Sequence, residues 1–110
     1  MVTTITIPSA LDEVVSRLAE GLQAERIYLF GSQASGLAKT GSDYDLLVVV
    51  PRSDLPRHQR EAFSYDLLWG LTLAVDVIVL TRAEFRRLAQ VKTSLAATAK
   101  AKGILLYGKS

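Results

Sequence analysis

Hydrophobic positions change their period along the chain. Leu11, Val14, Val15, Leu18 and Leu22 recur at helical spacing behind Ser9, a good N-cap, and predict a helix to about Ala24 whose last turn is weakened by Gly21. Arg26 to Phe30 reads as a first short strand with Ile27 and Leu29 as core. Leu46-Leu-Val-Val-Val50 is a continuous apolar run, rich in β-branched residues and stopped by Pro51, as a buried strand requires. After the Pro51 to Pro56 turn, Ser53 or Asp54 can cap a helix reaching about Trp69. Its inward face is predicted as Leu55, Ala62, Phe63, Leu67 and Leu68, and its solvated face as Arg57, His58, Arg60 and Glu61. Gly70 breaks that helix, and Leu71 to Leu80 reads as a strand. Thr81 caps a helix from Arg82 to about Val91, with Glu84 as capping-box partner and Phe85, Leu88 and Ala89 inward. An Ala-rich helix from Thr93 to Lys102 ends at Gly103, with Lys100 and Lys102 complementing its C-terminus, and Ile104 to Tyr107 is an apolar tail. Together these elements predict an α/β (α+β) domain, a small mixed sheet of three to four strands flanked by helices.

The chemistry gathers where strands open. Asp43 and Asp45 precede the Leu46–Val50 run, and residues two apart on a strand share a face, so both carboxylates point one way and Tyr44 the other. Like charges that close call for a counter-charge, and a hard divalent cation is the natural one. Mg²⁺ suits best, since it takes one or two carboxylates and completes its octahedron with water and substrate phosphate oxygens. About ten residues upstream, Gly31 and Ser32 follow the first strand; Gly allows close backbone approach to a ligand, and exposed N–H groups with the Ser hydroxyl can hold a phosphate. Asp76 interrupts the apolar run Ala74 to Leu80, where a buried charge would cost several kcal/mol unless paired. If its strand lies beside that of Asp43 and Asp45, three carboxylates converge, and Asp76 can hold a cation and orient or deprotonate an attacking hydroxyl. His58, the sole histidine, stands among arginines on a helix and reads as an exposed residue rather than a base.

This order of residues, Gly31-Ser32, an interval of about ten, Asp43-Tyr44-Asp45 and then Asp76 within a strand, resembles the nucleotidyltransferase superfamily that includes DNA polymerase β. At this length it is most similar to the minimal nucleotidyltransferases, small prokaryotic proteins often encoded beside a HEPN-domain partner; the closing stretch Ser94 to Tyr107 resembles that family's last helix and apolar tail. The resemblance implies a polymerase β-like fold, Gly31, Ser32 and Ser42 on the nucleotide, and Asp43, Asp45 and Asp76 as catalytic and metal-binding carboxylates for two Mg²⁺ ions. It further implies AMP, or another NMP, transferred from ATP or another NTP to a hydroxyl, in this family a tyrosine of a HEPN toxin, so that the protein acts as an antitoxin. Many members read Gly-Ser-x-Ala-Arg-Gly at the turn, whereas here Ser35 stands in place of the Arg. The alternative is a non-catalytic antitoxin that masks its partner by binding alone.

Composition narrows the remaining choices. With 110 residues, one domain spanning 1–110 is expected, large enough for one core and too small for a separate substrate domain. No cysteine is present, which excludes thiolate metal sites and disulfides and fits a reducing cytoplasm. No apolar span is long enough for a membrane, and the Thr3-Thr4-Ile5-Thr6 start lacks the features of a signal peptide. A net charge of only +2 and no aromatic-basic platform argue against nucleic acid as a partner. Hydrophobic residues reach 49%, which suggests that part of the apolar surface is covered by a partner; homo-oligomerisation is left open.

Overall fold

The computed structural model describes residues 9–31 and 43–108. In chain order they form α1 (Ser9–Leu22), β1 (Arg26–Phe30), β2 (Tyr44–Val50), α2 (Arg57–Leu67), β3 (Val75–Thr81), α3 (Arg82–Ala89), α4 (Leu95–Lys102) and β4 (Ile104–Tyr107). The four strands make one mixed sheet in the order β3-β2-β1-β4. β1 runs antiparallel to both β2 and β4, whereas β2 and β3 are parallel, as expected of strands joined through a helix. The fold is therefore the small mixed α+β sheet that the pattern predicts. The tail Ile104 to Tyr107 is its fourth strand, paired with β1 across a register shift between Ile27 and Tyr28.

Alternation along the strands divides the core in two. Ile27, Leu29, Leu46, Val48, Val50, Val77 and Val79 face α1, where Leu11, Val14 and Leu18 are fully buried. Tyr28, Phe30, Leu47, Val49 and Leu80 face α3 and α4, against Phe85, Ala96 and Ala99. Burial of these side chains, at roughly 1.5–3 kcal/mol for each large aliphatic one, drives the layer arrangement. Caps fix the helix starts. Thr81 accepts from Glu84 N while the Glu84 side chain accepts from Thr81 N, a complete capping box, and Ser94 accepts from Ala97 N. Ser9, read from the sequence as the cap of α1, lies within the helix. Gly21, which weakens the helix by propensity, is where Leu67 of α2 packs; a Cβ there would come within 2.5 Å of its Cδ1.

α2 departs from the predicted orientation. Arg60, placed on the solvated face by the sequence pattern, is buried, and Glu61 is half-buried; Leu55, Ala62 and Phe63, predicted inward, are exposed. The reason is what α2 packs against. β3 is an edge strand, and its outward N–H and C=O groups need partners that apolar side chains cannot supply. Tyr65 OH accepts from Val77 N at 3.1 Å, Glu61 Oε2 from Val79 N at 3.2 Å and Glu84 Oε1 from Thr81 N at 2.8 Å. Arg60 donates to Val79 O at 3.1 Å and to Leu55 O at 2.8 Å, and pairs with Glu84 at 2.6 Å. Arg57 holds Glu61 from one turn back, and Arg17 of α1 closes the other end of α2 by donating to Leu67 O and Trp69 O. The helix thus covers the sheet edge with side-chain hydrogen bonds. It begins at Arg57 behind Pro56, while Ser53 instead closes a small turn by accepting from Leu55 N. The third strand starts at Val75 rather than Leu71, although Leu71 and Leu73 still pack on the core.

Candidate active site

The strand openings meet at one end of the sheet. β2 and β3 are parallel and in register from Tyr44↔Val75, so Asp45 lies directly beside Asp76. Tyr44 N donates to Ala74 O at 3.0 Å, extending the ladder one bond past the strands and tying the two openings together. On the other flank Asp45 pairs with Phe30, the last residue of β1, and Gly31 follows immediately. Tyr44 joins the core under α1, so Asp45 and Asp76 share the opposite face with Leu47 and Ile78. The separation of Tyr44 from the acids is as the spacing predicts.

Gly31 has a second reason to be glycine. Its φ is +76°, a conformation that side-chain-bearing residues rarely adopt, and a Cβ there would overlap Asp45 Oδ2. Backbone and carboxylate are therefore in close approach, and a side chain at this point would be strained and would push the Asp45 carboxylate aside.

Asp43 and Asp76 are exposed and Asp45 is half-buried. The burial argument from sequence thus fails for Asp76: it lies at the second position of β3, at the open end of the sheet, and not within the core. Asp45 carries the electrostatic stress instead. Burial, then the charge of Asp76, then that of Asp43, push its carboxyl above the ordinary aspartate range. Among the described residues none of the three acids has a cation within 4 Å, and no three His, Asp or Glu side chains stand close enough to cage a metal by themselves. These two observations agree if a cation is held jointly with a ligand. Mg²⁺ needs only one or two carboxylates when phosphate oxygens and water complete its shell, and the mutual repulsion at Asp45 is what such a cation would relieve. Ser32, Ser35, Lys39 and Ser42 lie outside the described residues.

One stability prediction follows from this repulsion. A carboxyl whose folded pKa is raised costs stability once ionised; that cost is absent below the unfolded pKa of 3.8 and present in full above the folded value. Asp45→Asn in the metal-free protein is therefore expected to raise the melting midpoint at pH 7. The gain should vanish below pH 3.8, which paired melts at the two pH values would read.

Residues 11–105 match the nucleotidyltransferase domain family. No curated protein matches at a significant level. Among solved structures, a protein from Sulfolobus solfataricus assigned as a nucleotidyltransferase is 23% identical with a TM-score of 0.61, over 97% of this chain and 94% of the other. A substituted form of the toxin–antitoxin MntA-HpeT is 24% identical with a TM-score of 0.60, over 96% and 76% of the two chains. A toxin–antitoxin with AMP-PNP is also 24% identical, with a TM-score of 0.56 over 94% and 76%. At such identities the likeness is one of fold. The family match spans nearly the whole chain and both carboxylate-bearing strands, and the chain belongs to the nucleotidyltransferase domain family.

Proposed function

We propose that this nucleotidyltransferase uses Mg²⁺ to transfer AMP from ATP to a hydroxyl of a HEPN-domain toxin, a tyrosine in the first instance, and acts as that toxin's antitoxin. The observation that carries the reading is the register pairing of Asp45 with Asp76 at the strand openings, with Gly31 packed against the Asp45 carboxylate. The fold neighbours support the choice of partner and nucleotide, since toxin–antitoxin structures are among them, one with AMP-PNP.

In this reading Asp43 and Asp45 would hold the cation together with the nucleotide phosphates, and Gly31, Ser32 and Ser42 would position the triphosphate. The cation would neutralise charge developing on the departing pyrophosphate. Asp76, exposed and beside Asp45, accepts the proton of the incoming hydroxyl. The hydroxyl oxygen forms a bond to the α-phosphorus, the bond from that phosphorus to the bridging oxygen breaks, and pyrophosphate leaves. Masking by binding alone remains the competing reading. The exposed Leu55, Phe63 and Trp69, the last 87% accessible, would suit a partner contact under either.

The deciding experiment incubates the protein and its co-expressed neighbour with α-³²P-ATP and Mg²⁺. Label on the neighbour's tyrosine supports transfer. A folded, complex-forming protein that labels nothing with any NTP favours masking.

A further inference from the structure

The carboxylates occupy one end of the sheet, and the positive charge of the molecule gathers at the other. Arg26 opens β1, Arg82 opens α3 directly after β3, Arg86 lies one turn further on, and Lys100 comes from α4. Two recesses, of about 740 and 400 Å³, share Arg26 and Arg86. The first also takes Glu25, Arg82 and Tyr107, the second Phe85 and Lys100. Four cations against one carboxylate leave a local surplus of three, more than the net +2 of the whole chain. The rest of the chain is thus net −1, and the low overall charge that argues against a polyanionic partner averages over this asymmetry.

These cations differ in how they are held. Arg82 is engaged by both oxygens of Glu25. Arg26 is fixed without being neutralised: its guanidinium lies 5.2 Å from the Phe85 ring centre, and Nη1 donates to Tyr28 OH at 3.1 Å. Arg86 and Lys100 have no carboxylate within 4 Å among the described residues. Tyr107 stands at the rim, 42% accessible, with its ring available for stacking.

We propose that this basic recess is a second anion site, separate from the carboxylates, that takes a linear run of phosphate groups. A single phosphate would be satisfied by one guanidinium, whereas three uncompensated charges spread over two recesses that share Arg26 and Arg86 match several phosphates in series. Two sources share that chemistry, a single-stranded nucleic acid and a free phosphate chain. The site stands independently of the transfer reaction.

Titrations in EDTA, which removes cation-dependent binding at the carboxylates, would use inorganic tripolyphosphate and a twelve-nucleotide single strand against wild type, Asp45→Asn and Arg86→Ala/Lys100→Ala. The expected result is equal binding by wild type and Asp45→Asn, with at least a ten-fold loss in the double variant. The log–log salt slope for the strand should fall by about 1.4, as it does when two phosphates of a single strand are no longer neutralised. Both side chains are exposed, so folding should be retained, and Arg86→Glu serves as an independent variant with a larger expected loss. An oligonucleotide bound ten-fold tighter than tripolyphosphate identifies a nucleic-acid strand; comparable binding identifies the free chain. Unchanged affinity in the double variant and in Arg86→Glu, or no binding by wild type at 50 mM salt, would overturn the proposal.

Discussion

Asp43→Asn/Asp45→Asn is expected to lower AMP transfer at least ~10³-fold while leaving the complex with the partner intact. In the proposed mechanism each carboxylate removed deletes an interaction that strengthens as charge moves onto pyrophosphate, and single losses of this kind cost about 10²–10³-fold. Asp76→Asn should be separable from that pair. If Asp76 takes the hydroxyl proton, its loss falls on kcat by about 10²–10⁴-fold, with KM for ATP little changed. Losing Asp43 or Asp45 should raise KM for the nucleotide as well if, as proposed, they hold it through the cation. Initial rates at varied ATP would distinguish the roles. Equal effects on kcat and KM in all three variants would remove Asp76 from proton transfer and leave it a ligand only. Gly31→Ala supplies a geometric check, since its methyl group would displace the Asp45 carboxylate without changing any charge.

The largest effect on stability is expected at Arg60. Arg60→Ala withdraws the donor from Val79 O and Leu55 O and leaves Glu84 without its cation, at an order-of-magnitude cost of about 3 kcal/mol. For a domain whose total stability is about 5–15 kcal/mol, that is a substantial fraction. The same contact predicts an acid limb. Arg60 first, together with the Thr81 backbone and hydroxyl, lowers the Glu84 carboxyl from 4.5 to about 2 against the opposing effect of burial. A depressed carboxylate contributes stability that is complete above its unfolded pKa and is lost as pH falls through the folded value, so the window runs from about 4.5 down to about 2. Urea unfolding at pH 7 and pH 3 should show this loss in wild type and a much smaller one in Glu84→Gln. A pH-independent difference between the two proteins would place the stabilisation in packing of the Arg60 stem instead.

Arg60 also marks where the sequence could and could not be read. β1 is bounded by residues whose own preferences decide the matter, and β2 and the Thr81–Glu84 capping box are equally local; all three form as the pattern predicts. That Tyr44 and Asp45 face opposite ways was legible for the same reason, because successive strand residues alternate; the roles of the acids and of Gly31 stand as proposals. α2 was legible in period but not in phase. The assumption that an inward face is apolar holds when a helix lies on a sheet's surface, and α2 lies along an edge, where backbone N–H groups select Glu61 and Tyr65 and a C=O selects Arg60. The polar set 60, 61, 64 and 65 at helical spacing was the available signal, and only strand order gives it meaning. Asp76 misled similarly: its apolar neighbours suggested depth, but depth depends on how far the covering helices extend along the strand. For Ser32 and Ser42 the expectation stands as a proposal.

The pairing of β4 with β1 has a consequence in time. Arg26–Phe30 can find Tyr44–Val50 early, but its other side waits for Ile104–Tyr107, about 75 residues later. At translation rates of about 5–20 residues per second, that side stays bare for roughly 4–15 s while the chain is still being made. Completion of the sheet is then governed by synthesis rather than by the intrinsic rate of strand pairing, and a chaperone or a co-translated neighbour able to pair with a bare strand has those seconds in which to engage the nascent chain.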